Sequence, residues 1–131
     1  MTTYLDTCAP ADEAISIYQA IGGRPSVAAA VDGLFARLLA DPELSRFFPR
    51  GVGAVHRQYV VTLLGEALGG PERYRGPDLA AAHGGLGIGD DQFDRTAAHL
   101  AATLDELGVP GSLADQIVGI VAGLRPAVVT A

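Results

Sequence analysis

Apolar residues recur three and four positions apart along most of this chain, and nowhere do apolar and polar residues alternate long enough to support a strand. Ile15 to Ile21 form a first short helical run, closed by Gly22 and Gly23, where glycine can take the left-handed C-terminal conformation. Pro25 suits the first turn of the next helix, in which Val27, Val31, Leu34, Phe35, Leu38 and Leu39 keep helical spacing. Asp41 followed by Pro42 reads as an N-cap and a helix-starting proline. They open a short helix through Leu44 that ends in the aromatic pair Phe47 and Phe48. After a loop over Pro49 to Gly53, a long helix is predicted from Ala54 to Leu68.

That pattern stops at Gly69 and Gly70, and a loop carries on to Pro77. Between Pro77 and His83 only Leu79 is large and apolar, so a single turn of small residues delivers the histidine, and Gly84 and Gly85 follow at once. Helical periodicity resumes after Asp90, a candidate cap, through Phe93, Ala97, Leu100, Leu104 and Leu107, and ends at Gly108 and Pro110. Ser112 with Asp115 reads as a variant capping box for a last helix carrying Leu113, Ile117, Ile120, Val121, Leu124 and Val128 on one side. The expectation is an all-α domain of about five substantial helices, with one long irregular connection holding His83.

Composition narrows what such a domain can do. At 131 residues the chain can bury one core without staples. Residues 1–14, which carry Thr, Asp and Pro without period, are expected to form a flexible tail, leaving residues 15–131 as the domain. A net charge of −6 argues against a phosphate-binding surface, so nucleic acid is not an expected partner. No apolar run approaches membrane-spanning length. The single Cys8 excludes a disulfide framework and fits a reducing compartment; a lipoprotein cleavage site there lacks the basic and apolar regions it would need. The expected location is cytoplasmic, with no membrane partner.

Three histidines are the strong transition-metal ligands apart from Cys8, and their spacing matches no zinc signature. His56 lies on the apolar stripe of its helix, since at about 100° per residue Val60, Leu63 and Ala67 fall within roughly 40° of it. It reads either as a buried ring bonded to backbone or as a group aimed into a cavity. His83, on its glycine-flanked turn, reads either as a haem ligand or as a polar loop residue. His99, about 240° round from Phe93, is expected to be a partly exposed surface histidine. No serine sits in a nucleophile elbow, and Gly84 to Gly87 follow no strand, which removes a catalytic triad and a phosphate loop.

The runs Ser16-Ile-Tyr-Gln-Ala-Ile-Gly-Gly, Leu39-Ala-Asp-Pro-Glu-Leu-Ser-Arg-Phe-Phe, Ala67-Leu-Gly-Gly-Pro and Ala82-His83-Gly-Gly-Leu-Gly-Ile88 together resemble group I truncated haemoglobins. The resemblance continues through Phe93, His99 and Leu107-Gly-Val-Pro110 and spans Ser16 to Val129. It implies a globin-like two-over-two helical sandwich enclosing haem b (iron protoporphyrin IX), with His83 as the proximal iron ligand. By the same resemblance Phe48 stacks on the porphyrin, with Leu63, Leu64, Leu79 and Ala82 in the haem pocket. Leu86, Ile88, Phe93, Thr96 and Val121 complete that implied pocket.

On the distal side the chain departs from the family pattern. Phe35 stands where many members have a ligand-binding tyrosine, Val60 where they often have glutamine, and His56 at the position facing bound gas. One imidazole must then replace the usual tyrosine–glutamine network, with Tyr59 as an assistant or a propionate partner. The function this implies is reversible binding of oxygen and other diatomic gases (nitric oxide, carbon monoxide), in oxygen storage or transport, with His56 donating a hydrogen bond to the polarised dioxygen. The alternative is nitric-oxide dioxygenation, which requires an electron-donating reductase because the chain has no flavin or nicotinamide domain; nitrate formation sustained by a supplied reductase distinguishes it. A third reading, a haem-free helical interaction module, would give a colourless protein.

Overall fold

The computed structural model describes residues 15–76, 78, 80, 83 and 86–129. The expected tail over residues 1–14, with Cys8, lies outside the described residues, as do Leu79 and Ala82. Among the described residues there is no strand. The helices are α1 (Ile17–Ile21), α2 (Arg24–Ala40), α3 (Pro42–Ser45), α4 (Ala54–Ala67), α5 (Asp90–Glu106), α6 (Gly111–Ala122) and α7 (Arg125–Val128).

Capping chemistry explains most of these boundaries. Ser16 accepts from the backbone N–H of Gln19 at 3.1 Å while the Gln19 side chain returns to the Ser16 N–H at 3.4 Å, so α1 begins in a capping box. Pro25 lies in the first turn of α2, and Asp41 caps α3 by accepting from the Glu43 N–H at 3.0 Å. The first helix starts at Ile17, with Ser16 outside it as the cap, instead of at Ile15, and two later starts also differ from the sequence expectation. Gly89, not Asp90, is the cap of α5, because Gln92 Oε1 accepts from the Gly89 N–H at 2.8 Å, and Asp90 instead pairs with Arg125 at 2.7 Å. Pro110 caps α6 without a side-chain bond, so Ser112 falls inside the helix and its capping box with Asp115 does not form. The last helix is also broken. It turns at Gly123 and Leu124 before α7, where Pro126 has no N–H to continue the ladder.

Four long helices make two layers: α2 lies against α4, α5 lies against α6, and α2 packs on α5 to join them. The shared core runs through Val27, Val31, Leu34 and Leu38 of α2, Val61 and Leu64 of α4, Leu100 and Leu104 of α5, and Ile117 of α6. The α2–α5 crossing is close because position 33 is glycine; a Cβ there would stand 2.6 Å from the Thr103 methyl. Among the described residues no helix is long and apolar enough to cross a membrane.

His99 is partly exposed, as expected, but it also has a structural partner. Its direction, away from the Phe93 stripe, points at the junction of α2 and α3, where its Nε2 lies 2.8 Å from Oδ2 of the buried Asp41. Arg95, one turn earlier on α5, donates to the same oxygen at 2.6 Å. These bonds tie α5 to the start of α3.

Candidate functional site

Between α2, α3 and α4 on one side and α5 on the other, the helices leave a cavity of about 460 Å³. Each wall follows from local structure. Helix α2 presents Leu34, Phe35 and Leu38, spaced at three and four. The end of α3 delivers Leu44, Phe47 and Phe48, and Pro49 to Gly51 carry the rim past them. Helix α4 contributes His56 and Val60, one turn apart, while α5 contributes Gln92, Phe93 and Thr96. The irregular connection adds His83, Leu86 and Ile88, and Val128 closes the edge from α7.

The lining is mainly apolar. Thr96 does not break this character, since its hydroxyl donates to the Gln92 carbonyl of its own helix at 2.9 Å. Arg50 at the rim is the only lining residue among those described that carries a permanent charge. His56 sits among aromatic rings, its centroid 5.5 Å from Phe35 and 6.1 Å from Phe48, with the two phenylalanines edge-on at 5.9 Å. Burial, and after it the His83 imidazole in the same cavity, push the His56 imidazole below its usual value. His56 is therefore neutral at pH 7, with one ring nitrogen donating and the other accepting. His83 has helical backbone, is partly exposed, and its carbonyl accepts from the Leu86 N–H at 3.1 Å.

Nine of the residues singled out from sequence meet in this cavity: Phe35, Phe48, His56, Val60, His83, Leu86, Ile88, Phe93 and Thr96. His56 differs from expectation in one respect. The buried line of α4 is Val61, Leu64 and Gly65, and His56 lies beside it, exposed at the mouth of the cavity instead of buried. Four other residues do not line the cavity. Tyr59 is 39% exposed, turned roughly 60° from His56 round α4, and edge-on to Tyr74 at 6.1 Å in a separate cleft of about 250 Å³ that includes Arg73 and Arg75. Leu64 belongs to the core, Leu63 is partly buried outside the lining, and Val121 packs against the core from α6. The residues that sequence reasoning missed are Leu34, Leu38, Leu44, Phe47, Pro49, Arg50, Gly51, Gln92 and Val128. For Leu34, Leu38 and Phe47 a signal existed, since helical spacing and adjacency to Phe35 and Phe48 put them on the same face.

The bacterial-like globin family model matches residues 16–130, nearly the whole of the described chain. The chain belongs to the bacterial-like globins. Within them it stands with the group 1 truncated haemoglobins. It is 36% identical to the group 1 truncated haemoglobin of Mycolicibacterium paratuberculosis over 90% of this chain and 87% of that one. It is 34% identical to that of Tetrahymena thermophila over 79% of this chain and 83% of the relative. Among solved structures, truncated haemoglobin from Tetrahymena pyriformis in its Fe(III) form superposes with a TM-score of 0.83 at 30% identity, covering 88% of this chain and 98% of that one. The 2/2 haemoglobin of a Synechococcus species, in the cyanomet state with covalently attached haem, gives 0.81 at 33% identity, with coverage of 89% and 100%. The layered pairs α2/α4 and α5/α6 are thus the two-over-two sandwich of this globin.

Proposed function

We propose that this truncated globin holds haem b in the cavity and reversibly binds oxygen, nitric oxide and carbon monoxide there. The observation that carries the reading is the convergence of two imidazoles, His56 from α4 and His83 from the connection, in one apolar cavity walled by phenylalanine rings. A volume of about 460 Å³ falls among cofactor pockets, which run from roughly 300 to 1,000 Å³. The donor set also fits: globin-type haem needs one neutral imidazole for the metal and an otherwise apolar slot. Haem, when bound, supplies an iron that takes up a diatomic gas.

In this reading His83 would hold the iron through a ring nitrogen. Phe48 and Phe93, which line the cavity, would supply apolar contact to the porphyrin. His56, neutral and in contact with Phe35 and Phe48, would donate its ring N–H to the gas. With Phe35 on α2 contributing no hydroxyl and Tyr59 turned into the other cleft, His56 acts without a tyrosine partner. The test is an optical spectrum of the purified protein in ferric, ferrous and gas-treated forms, beside His83→Ala. The wild type is expected to show globin Soret and visible bands, and the variant to lose most of its haem on desalting. Stoichiometric haem with an unchanged spectrum in His83→Ala would remove His83 from the proximal role.

A further inference from the structure

We infer that Glu72 is a positioning residue: seated on two glycines and held by Tyr18 and Arg24, it anchors to α1 and α2 the connection that carries His83. The inference rests on the proposed role of His83 as the iron ligand. Glu72 lies just beyond the end of α4, and its side chain is only 12% exposed. Its Oε2 accepts from the Tyr18 hydroxyl at 2.7 Å and from the Arg24 guanidinium at 3.2 Å. Its Oε1 is buried and has no hydrogen-bond partner among the described residues.

A carboxylate taken this far out of water is costly unless it is paired, and a free loop residue would leave it in solvent. The fold instead makes room for it. A Cβ on Gly70 would stand 2.7 Å from Oε1 and 2.5 Å from the Tyr18 ring, and one on Gly65 would stand 2.9 Å from Oε1. Neither glycine is explained by turn geometry, because neither has a positive φ. Their bareness is what lets Glu72 lie flat against α4 and reach Tyr18. Two further bonds pin the same segment, Tyr18 N–H to the Leu68 carbonyl at 3.0 Å and Tyr74 N–H to Glu66 Oε1 at 2.8 Å.

The connection between α4 and α5 is thereby fixed at residues 68–74 instead of hanging free from Ala67. Shortening the free chain reduces the range over which the His83 turn can wander, and an iron ligand must be held to a fraction of an ångström. A carboxylate that merely stabilised the globin would affect all helices alike. One that positions His83 acts on the connection and on the iron–histidine bond.

The experiment compares wild type, Tyr18→Phe and Glu72→Gln as full-length haem-loaded protein. Three quantities are read: amide hydrogen exchange by segment, the rate of haem transfer to apomyoglobin, and the iron–histidine stretching band of the ferrous form by resonance Raman. Loss of a hydrogen bond to a charged group is expected to speed exchange in residues 71–89 and haem loss by roughly tenfold or more. Exchange in α2 and α5 should stay within twofold, and the stretching band should broaden. Exchange and haem loss within twofold of wild type in both variants would overturn the inference, and so would equal acceleration in every helix. Should Tyr18→Phe fail to fold, Arg24→Gln, which removes a half-exposed partner and leaves the tyrosine in place, is read by the same criteria. If the wild type binds no haem, the gas-binding reading falls, while exchange of residues 71–89 in the haem-free chain still decides the anchor.

Discussion

Replacing His56 by leucine tests the distal side directly. The substitution removes the imidazole that α4 turns into the cavity and leaves an apolar side chain between Phe35 and Phe48. Because the ring is neutral at pH 7, the loss is one N–H donor, with no change in the cavity's charge. Nearby hydroxyls offer no direct replacement. Thr96 is committed to the Gln92 carbonyl, and Tyr59 lies in the other cleft. Bound dioxygen carries partial negative charge, so the bond belongs with those to charged groups, about 1.5–3 kcal/mol. At about 1.4 kcal/mol per decade, oxygen release should quicken roughly ten- to a hundredfold. Carbon monoxide, a poorer acceptor, should change much less. Stopped-flow displacement of oxygen and of carbon monoxide from both proteins gives the comparison. Oxygen release within twofold of wild type would make His56 a bystander. A six-coordinate low-spin ferric spectrum in the wild type, lost in His56→Leu, would instead make it a second iron ligand.

Asp41 should make stability depend on acid. Arg95 first and His99 second hold its carboxyl well below the usual carboxylate range, so the folded form takes up the proton at lower pH than the unfolded form. The contribution is complete above the unfolded value of about 3.9 and is lost as pH falls below it. Asp41→Asn should therefore melt lower than wild type at pH 7, with the gap closing below about pH 4; an equal gap at pH 7 and pH 3 would contradict the pairing. Leu104 is 1% exposed where α5 meets α2 and α6, and Leu104→Ala should cost roughly 2–5 kcal/mol in urea unfolding.

Long elements with local signals were readable without coordinates. The spacing of Val27, Val31, Leu34 and Leu38 forms the inner face of α2, and Asp41–Pro42 starts α3 as its chemistry requires. His83 stood out because a histidine on so short a glycine-flanked turn seldom owes its place to packing alone. The misses arose where a local motif competes with a distant partner. Asp90 could cap a helix, but Arg125 claims it; His99 is partly exposed as expected, but its bond to Asp41 at the α2–α3 junction had no local signal.

The sequence by itself determined that the fold is all-α and which residues share a helix face, and it singled out His56 and His83 as candidates. Those properties depend on residues three and four apart, so the chain states them locally. Which apolar residues bound a cavity and which fill the core was decided only by the tertiary structure. Leu34 and Val31 share one helix face and one periodicity and both belong to the core, yet only Leu34 also lines the cavity. Tyr59, one turn of helix from His56, opens into a different cleft because the loop over residues 73–76 runs beside it. Glu72 carries no signal at all in sequence. Its role exists because Gly65, Gly70, Tyr18 and Arg24, as many as 54 residues away, meet around one carboxylate once the helices have packed.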